Sequence, residues 1–347
     1  MHKIMTAAAL AAAVGLAGSP ALAEDYPEMT LRMAHPLPEV WPGVEWDKWW
    51  AEEVSKRSGG KINIEIFWAG QLGNLLEIKG LVESGAVDLG VFAQAVHASE
   101  MPMTAICAGL LNRVSANPET AHTLAGECYA SQPTVEEQQE LNLKPLRWTV
   151  TNPYRLLCNT EIKETADLEG LKVRAVGGAY VPIWMEAFGM VPTRVQATEI
   201  REGLQRGTLD CNFGPIEWVP IFGLQTVAPY LSDINTGTFT TFQLWTPRET
   251  FESWPESVQQ LMIEVGQESM VKDLEALPAV RDAALAAFKE ADGQIIELAD
   301  MDKFAAQSPD MIDVWIKRMT DEGLEQRIQP IIPLQRKAAE SFQHAAE

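Results

Sequence analysis

Arg174 is the residue whose type and position point most directly to chemistry. It stands near the end of a predicted strand, 171–175, in the segment DLEGLKVRAVGG. Ligands of open α/β sheets bind at the carboxyl ends of the strands, and a planar guanidinium donates paired hydrogen bonds that match a carboxylate. We therefore predict that Arg174 binds an anionic ligand. The alternative is a surface arginine paired with Glu169 or Glu199.

Four further polar side chains lie in or directly after predicted strands and are candidate ligand contacts: Arg155, Gln94, Asn212 and His35. An arginine in a strand needs an anionic partner, so Arg155 pairs either with the ligand or with a carboxylate of its own lobe. Gln94 follows the predicted strand 87–92 and would reach the ligand from the opposite wall. A lone histidine such as His35 is more often a structural residue than a ligand contact.

Aromatic side chains accompany these polar candidates. Trp41, Trp68 and Trp218 follow predicted strands, Phe213 ends the strand 209–213, and Tyr180 lies on the helix after Arg174. Ligand pockets are lined mainly by apolar and aromatic side chains, so we predict a carboxylate with an apolar or aromatic body as the ligand. The alternative is that these rings pack between lobes and contact no ligand.

Alternating helices and strands must position these residues. The first part of the chain is predicted as strand 29–34, helix 43–57, strand 61–67, a helix that ends near 84, and strand 87–92. The pattern recurs as strands 154–159 and 171–175, helix 179–188, strand 191–195, a helix with Thr198 as its N-cap, and strand 209–213. Strands that alternate with helices indicate a parallel α/β sheet, and the repetition predicts two α/β lobes.

The remainder of the chain is predicted to be helical. The segment 255–298 contains a single internal proline, Pro278. A helix of about 35 residues would extend on the order of 50 Å, which is long enough to lie across both lobes. Two shorter helices are predicted near 309–322 and 334–346.

The first 23 residues have the pattern of a secretory signal peptide. Lys3 is followed by an apolar stretch, and Ala21-Leu22-Ala23 supplies the small residues of a cleavage site, so cleavage is expected between Ala23 and Glu24. The alternative is a membrane anchor, but the apolar stretch is shorter than the roughly 20 residues that span a bilayer. We therefore predict a periplasmic protein whose mature chain is not inserted in the membrane.

The charge of the chain limits its partners. The formal net charge is −21, and removal of residues 1–23, whose only counted charge is Lys3, makes the mature chain −22. Such a charge argues against nucleic acid or anionic membranes as partners. A small anion must therefore be held by a local positive site, against the field of the whole protein.

The four cysteines and the histidines do not predict a metal site. Cys107, Cys128, Cys158 and Cys211 are too widely spaced for a zinc motif. One disulfide or ordinary buried thiols are equally compatible with the spacing. No metal and no cofactor are expected.

Several motifs resemble one known family. Residues 167–174 read DLEGLKVR, residues 207–210 read GTLD, and residues 70–73 read GQLG, followed by ESGAVD at 83–88. In this order and spacing, essentially along the whole mature chain, they resemble the periplasmic solute-binding subunits of TRAP transporters, the DctP-like group. The resemblance implies a periplasmic-binding-protein-like fold, with two α/β lobes joined by crossing strands and a long helix. It also implies membrane permease subunits as partners.

The resemblance also carries residue roles. It implies that Arg174 pairs with a substrate carboxylate and that Arg155 is similar to a second arginine of some members. Two positions depart from the family's pattern, because Phe213 and Gly214 stand where glutamate and asparagine are usual. His35 occupies the place of an asparagine found in members that bind sialic acid, so a polyhydroxy acid is disfavoured.

We predict a solute-binding protein that captures a small organic anion and delivers it to a permease. Lobe I is assigned to 24–151 and about 240–280, and lobe II to 152–239 and about 281–347. Alternatives are a receptor that feeds a sensor kinase, or a binder of an aliphatic 2-oxo acid or dicarboxylate. An enzyme is the least favoured reading, since no G-x-S-x-G, H-E-x-x-H or P-loop motif is present.

Overall fold

The computed structural model describes residues 26–41, 43–108, 112–175 and 178–344. The predicted signal peptide and its cleavage site lie outside these residues. Within the described ranges, no helix combines the length and the apolar character that a membrane span requires.

The described residues form eleven strands in two sheets. They are β1 (Met29–Ala34), β2 (Ile62–Phe67), β3 (Leu89–Phe92), β4 (Leu143–Val150), β5 (Tyr154–Cys158), β6 (Lys172–Arg174), β7 (Val191–Thr193), β8 (Cys211–Pro215), β9 (Tyr230–Ser232), β10 (Thr240–Pro247) and β11 (Gln294–Ile296). The first sheet has the order β2-β1-β3-β10-β4, and the second has the order β11-β9-β5-β8-β6-β7. These sheets are the centres of the two predicted lobes.

Each sheet combines a parallel part with antiparallel crossing strands. Strands β1, β2 and β3 pair in parallel, as do β6, β7 and β8. Strand β10 is antiparallel to both β3 and β4, and β5 is antiparallel to β8. The chain passes from the first sheet to the second between β4 and β5, and returns between β9 and β10. The two-lobed α/β fold is confirmed, and its sheets are mixed rather than purely parallel.

Helices cover both faces of the sheets. They are α1 (Glu45–Arg57), α2 (Ile78–Glu83), α3 (Pro102–Ala105), α4 (Pro118–Tyr129), α5 (Gln132–Glu140), α6 (Tyr180–Glu186), α7 (Ile200–Arg206), α8 (Trp218–Ile221), α9 (Arg248–Ser253), α10 (Glu256–Glu290), α11 (Met301–Gln307), α12 (Met311–Asp321), α13 (Glu325–Ile328) and α14 (Ile332–His344). Close packing on the sheet requires small residues: a Cβ on Gly90 of β3 would come within 2.4 Å of the Val82 side chain of α2. Glycine at this position therefore allows α2 to lie directly against the strand.

Helix α10 links the two lobes. Its first half buries Val258 and Leu261 in the core with β1, β3 and α1, and its second half buries Ala284 and Phe288 against the second sheet. The helix has 35 residues, with Pro278 inside it. The prediction of a long helix that spans both lobes is confirmed.

Two disulfides cross-link the chain. One joins Cys107 to Cys128, and the other joins Cys158 of β5 to Cys211 of β8. The sequence left the state of these cysteines open. Because Cys158 and Cys211 face each other across the β5–β8 ladder, the second bridge fixes two of the strands that carry the candidate site residues.

Most predicted elements agree with the structure in type and differ at their ends, but the segment 255–298, predicted as helical, contains strand β11 (Gln294–Ile296). The predicted N-cap at Thr198 is wrong, because Thr198 lies within a 3₁₀ turn, Ala197–Glu199, that precedes α7. Strands β4 and β10 and helices α4 and α5 were not assigned from the pattern of the residues. Strand β4 contains Pro145 and is buried at most positions on both faces, so it lacks the alternation by which a strand is recognised.

Candidate ligand-binding site

Three neighbouring strands of the second sheet bring four candidate positions to one face. Arg174 of β6 is in register with Asn212 of β8, and Arg155 of β5 is in register with Gly214 of β8. Residues two apart in a strand lie on the same face, so Asn212 and Gly214 share the face that carries both arginines. The two guanidinium groups therefore flank β8.

Arg174 is buried without a counter-ion. Only 6% of the residue is exposed, and its Nε donates a hydrogen bond to the Val195 carbonyl at 3.2 Å. Its Nη1 is buried without a hydrogen-bond partner, and within the described ranges no carboxylate forms an ion pair with it. Glu169 and Glu199 are thus not its partners. Burial lowers the pKa of Arg174, which is the consequence of a positive charge that the protein leaves uncompensated.

An indole ring covers the guanidinium. The Arg174 Cζ lies 5.4 Å from the centre of a Trp218 ring. A Cβ on Gly214 would lie 3.1 Å from the Trp218 ring and 2.9 Å from the Asn212 amide nitrogen. The absence of a side chain at Gly214 therefore makes room for Trp218, and the Oδ1 of Asn212 is buried without a partner beside them.

Phe213 lies in the core rather than beside the arginines. Alternation along β8 places it on the opposite face from Asn212, and it is fully buried. Its ring packs against Tyr154 at 5.1 Å and Trp184 at 6.0 Å. Tyr154 in turn contacts Trp218 at 6.0 Å between ring centres. A ligand role for Phe213 stays a prediction, and Tyr154 is the aromatic residue that joins this core to Trp218.

The first lobe contributes buried amides with unused donors. The Tyr129 hydroxyl donates to the Gln94 Oε1 at 2.8 Å. The backbone N–H of Gln94 donates to the Gln243 Oε1 at 3.1 Å. The Nε2 atoms of Gln94 and Gln243 are both buried without a partner. Unsatisfied donors of this kind are costly inside a protein. Gln243 was missed in the sequence, although a glutamine between the aromatic and aliphatic residues of the strand TTFQLWTP is a recognisable signal.

His35 uses both ring nitrogens within its own lobe. Its Nδ1 accepts a hydrogen bond from the Leu37 backbone N–H at 3.1 Å, which leaves Nε2 as the donor to Asp47 at 3.1 Å. The His35 ring also lies 4.5 Å from the Trp68 ring. His35 and Trp68 therefore pack against each other. The ligand contact predicted for each of them stays a prediction.

The remaining candidates lie at different places. The Trp41 ring of the first lobe contacts Phe222 of the second lobe at 4.8 Å. Burial raises the pKa of Tyr180 to about 12, and its ring lies 5.6 Å from the Arg318 guanidinium. Arg155 is half-buried, and burial lowers its pKa while Asp233 raises it. Each of these ligand roles stays a prediction.

Comparison with known proteins gives the family. The model of the bacterial extracellular solute-binding protein family 7, DctP, matches residues 33–319. The chain belongs to this family. The resemblance predicted from the sequence is thereby confirmed, and with it the prediction of a binding protein rather than an enzyme.

Individual relatives and solved structures share less than a third of their residues with this chain. A solute-binding protein of Roseobacter denitrificans is 27% identical over 237 residues, which are 66% of this chain and 69% of that protein. A solved extracytoplasmic solute receptor of Bordetella pertussis that binds pyroglutamic acid has a TM-score of 0.77 and 16% identity, and covers 88% of this chain and 99% of that one. A TRAP solute-binding protein of Rhodoferax ferrireducens, in complex with copurified benzoate, has a TM-score of 0.76 and 21% identity, and covers 92% and 99%. These structures share the fold of this chain.

Proposed function

We propose that the protein captures a small carboxylate with an apolar or aromatic body in the cleft between its lobes, and delivers it to the membrane permease of a TRAP transporter. The observation that carries this proposal is Arg174, a buried guanidinium with a free donor and no counter-ion in the described residues. Membership in a family of extracellular solute-binding proteins supports the delivery role.

A carboxylate is the anion that fits Arg174 best. Paired N–H groups match its two oxygens, and hydrogen bonds to a charged group contribute about 1.5–3 kcal/mol. The net charge of −21 opposes capture of anions by the protein as a whole. Affinity must therefore come from this local site, where burial keeps water from screening the interaction.

An apolar or aromatic body fits the surroundings of Arg174. Trp218 lies over the guanidinium and Tyr154 lies next to Trp218. The known ligands of the two related structures, benzoate and pyroglutamic acid, are both cyclic carboxylates. The unused amide donors of Gln94 and Gln243 supply polar contacts from the first lobe.

Ligand capture would close the two lobes. Lobe I would comprise 24–151 and about 240–280, and lobe II would comprise 152–239 and about 281–347. The Trp41 and Phe222 rings lie 4.8 Å apart between their centres, which gives the two lobes an aromatic contact whose geometry would change with lobe closure. Hinge closure around a ligand is the usual motion of periplasmic binding proteins, and the permease would recognise the closed form.

A thermal-shift screen with matched carboxylates and amides tests this function. Benzoate and pyroglutamate should raise the Tm more than benzamide and pyroglutamide do, because only the acids carry the charge that Arg174 needs. The Arg174→Gln variant should lose the difference, while the exposed Arg206→Gln control should keep it. Stronger stabilisation by a neutral or cationic compound, or an unchanged response of Arg174→Gln, would overturn the proposal.

A further inference from the structure

A cavity lies beside Trp218, where helix α10 passes the crossing strands. Its volume is about 80 Å³. It is bounded by the first turn of α1, by β4 and β10, by the start of α8 and by the middle of α10. The aromatic side chains that line it are Trp41, Trp46, Trp218 and Phe242.

Carboxyl groups line the same cavity without a cationic neighbour in its wall. Asp47, Glu217 and Asp273 face it and are buried, and the exposed Glu45 stands at the side of α1. Among the described residues its wall contains neither lysine nor arginine, and the histidine in it, His35, is hydrogen-bonded to Asp47. An enclosed space with aromatic faces and buried carboxylates attracts positive charge.

Asp273 is the carboxyl group with the least compensation. It is 6% exposed, and its Oδ2 has no hydrogen-bond partner in the part of the chain that the structure describes. The nearest cation is the Arg147 Nη2 at 3.9 Å, but Arg147 is already held by the Asp47 carboxylate and by Ser269. Arg147 of β4, Asp47 and Glu45 of α1 and the Val150 backbone are the groups that act on Asp273. Burial raises the pKa of Asp273 to about 7.

Glu217 adds a second carboxyl group from the other lobe. Its two oxygens accept hydrogen bonds from the backbone and side-chain nitrogens of Asn152 at 3.1 and 3.2 Å. Both donors are neutral, so they do not cancel its charge. Burial raises the pKa of Glu217. The Arg147 guanidinium lies within ion-pair distance of only two of the three buried carboxyl groups, Asp47 and Asp273, among the described residues, and a cation in the cavity would complete the balance.

We propose that this cavity binds a small organic ammonium group, with Asp273 as its counter-ion and Trp218 and Trp41 as its aromatic walls. Alkylated ammonium groups are recognised by aromatic faces. A metal ion fits less well, because no cluster of three or more histidine, cysteine or acidic side chains in the described ranges is arranged to hold one.

The proposal does not rest on the carboxylate role of Arg174. Arg174 is not among the residues that line the cavity, although Trp218, which lies 5.4 Å from the Arg174 guanidinium, lines it. The two sites can therefore fail separately. Arg174→Gln should keep the ammonium site, and Asp273→Asn should keep the binding of benzoate.

Calorimetric titration of the whole mature protein tests the ammonium site. The probes are tetramethylammonium, choline and 3,3-dimethylbutan-1-ol. The last compound has the shape of choline but carries a carbon atom in place of the charged nitrogen. At pH 8, choline should bind at least tenfold more tightly than the alcohol, and Asp273→Asn should lose that preference. The control Glu275→Gln changes an exposed carboxylate of the same helix and should bind as the wild type does.

The pH dependence separates an ionic role of Asp273 from a merely structural one. A group that titrates near pH 7 is ionised to about 10% at pH 6 and about 90% at pH 8, so tetramethylammonium should bind up to about ninefold more tightly at pH 8. Asp273→Asn should show no such rise, and circular dichroism should show that it is folded. Equal affinity for choline and the alcohol, displacement by sodium rather than by ammonium compounds, or no binding of tetramethylammonium would overturn the proposal.

Discussion

Arg147 in the first lobe and Arg174 in the second are equally buried, but the protein surrounds them differently. Arg147 is 1% exposed and meets the Asp47 carboxylate and the Ser269 hydroxyl. Arg174 is 6% exposed and has one bond, to a backbone carbonyl. An arginine that supports the fold pairs with a carboxylate of the protein itself. An arginine that is to bind an anionic ligand has no such carboxylate beside it, so its guanidinium can pair with the ligand.

The network around Arg147 also orders the first lobe. The Asp47 carboxylate accepts hydrogen bonds from both His35 and Arg147. Burial alone would raise the pKa of Asp47, but Arg147 and His35 hold it below its ordinary value. The network joins the end of β1, helix α1, strand β4 and helix α10. Arg174 in the second lobe has no such network among the described residues. This difference predicts different outcomes when either arginine is replaced.

The largest effect is expected for Arg147→Met. Removal of one partner from a buried ion pair leaves an uncompensated charge and costs about 3–5 kcal/mol. The free energy of unfolding in urea should fall by that amount. As a control, the exposed Arg206→Met should change it by less than about 0.5 kcal/mol. Equal stability of Arg147→Met and the wild type would show that the two arginines do not differ as described.

Arg174→Met should have the opposite pattern. The ligand-free protein should be as stable as the wild type or more stable, because an uncompensated buried charge has been removed. Binding of the carboxylate that gives the largest thermal shift should weaken by about 1.5–3 kcal/mol. On one preparation, urea unfolding measures the stability of the ligand-free protein and calorimetry measures the binding of the carboxylate. A large loss of stability without ligand would place Arg174 with Arg147 as a structural residue.

Asp273→Asn should change how stability depends on pH. The folded pKa of Asp273, about 7, lies above the ordinary 3.8, so the native state binds the proton more tightly than the unfolded state does. Wild-type stability should therefore decline between about pH 4 and pH 7, and the variant should lack this part of the decline. At pH 8, where Asp273 of the wild type is ionised, the variant should be the more stable protein. Parallel curves of unfolding free energy against pH for the two proteins would contradict this.

The smallest effect is expected for Trp218→Leu. Within the described residues no aromatic ring lies over Arg147, whereas Arg174 lies under Trp218, so the indole should contribute to ligand binding and not to charge balance. Benzoate should bind more weakly by about 0.5–1.5 kcal/mol, and acetate, which has no ring, should bind unchanged. Equal losses for both acids would show that Trp218 positions Arg174 rather than contacts the ring.

The residues of the parallel strands were the most predictable part of the site. Arg174 ends a short strand preceded by a recognisable motif, so its place at the carboxyl end of β6 followed from the sequence. Arg147 and Gln243 were missed because β4 and β10 are buried on both faces and show no alternation. Gly214 appeared to be a lost polar contact, whereas the structure shows that Trp218 occupies the space above it. Such compensation between residues of different elements cannot be derived from the sequence alone.

The central claim is that the buried guanidinium of Arg174 pairs with the carboxylate of a ligand. Calorimetric titration of the wild type and Arg174→Gln with benzoate and benzamide tests it most directly. The wild type should bind benzoate at least tenfold more tightly than benzamide, and the variant should bind both equally weakly. A wild type that binds the two compounds alike, or a variant that still prefers benzoate, would contradict the account.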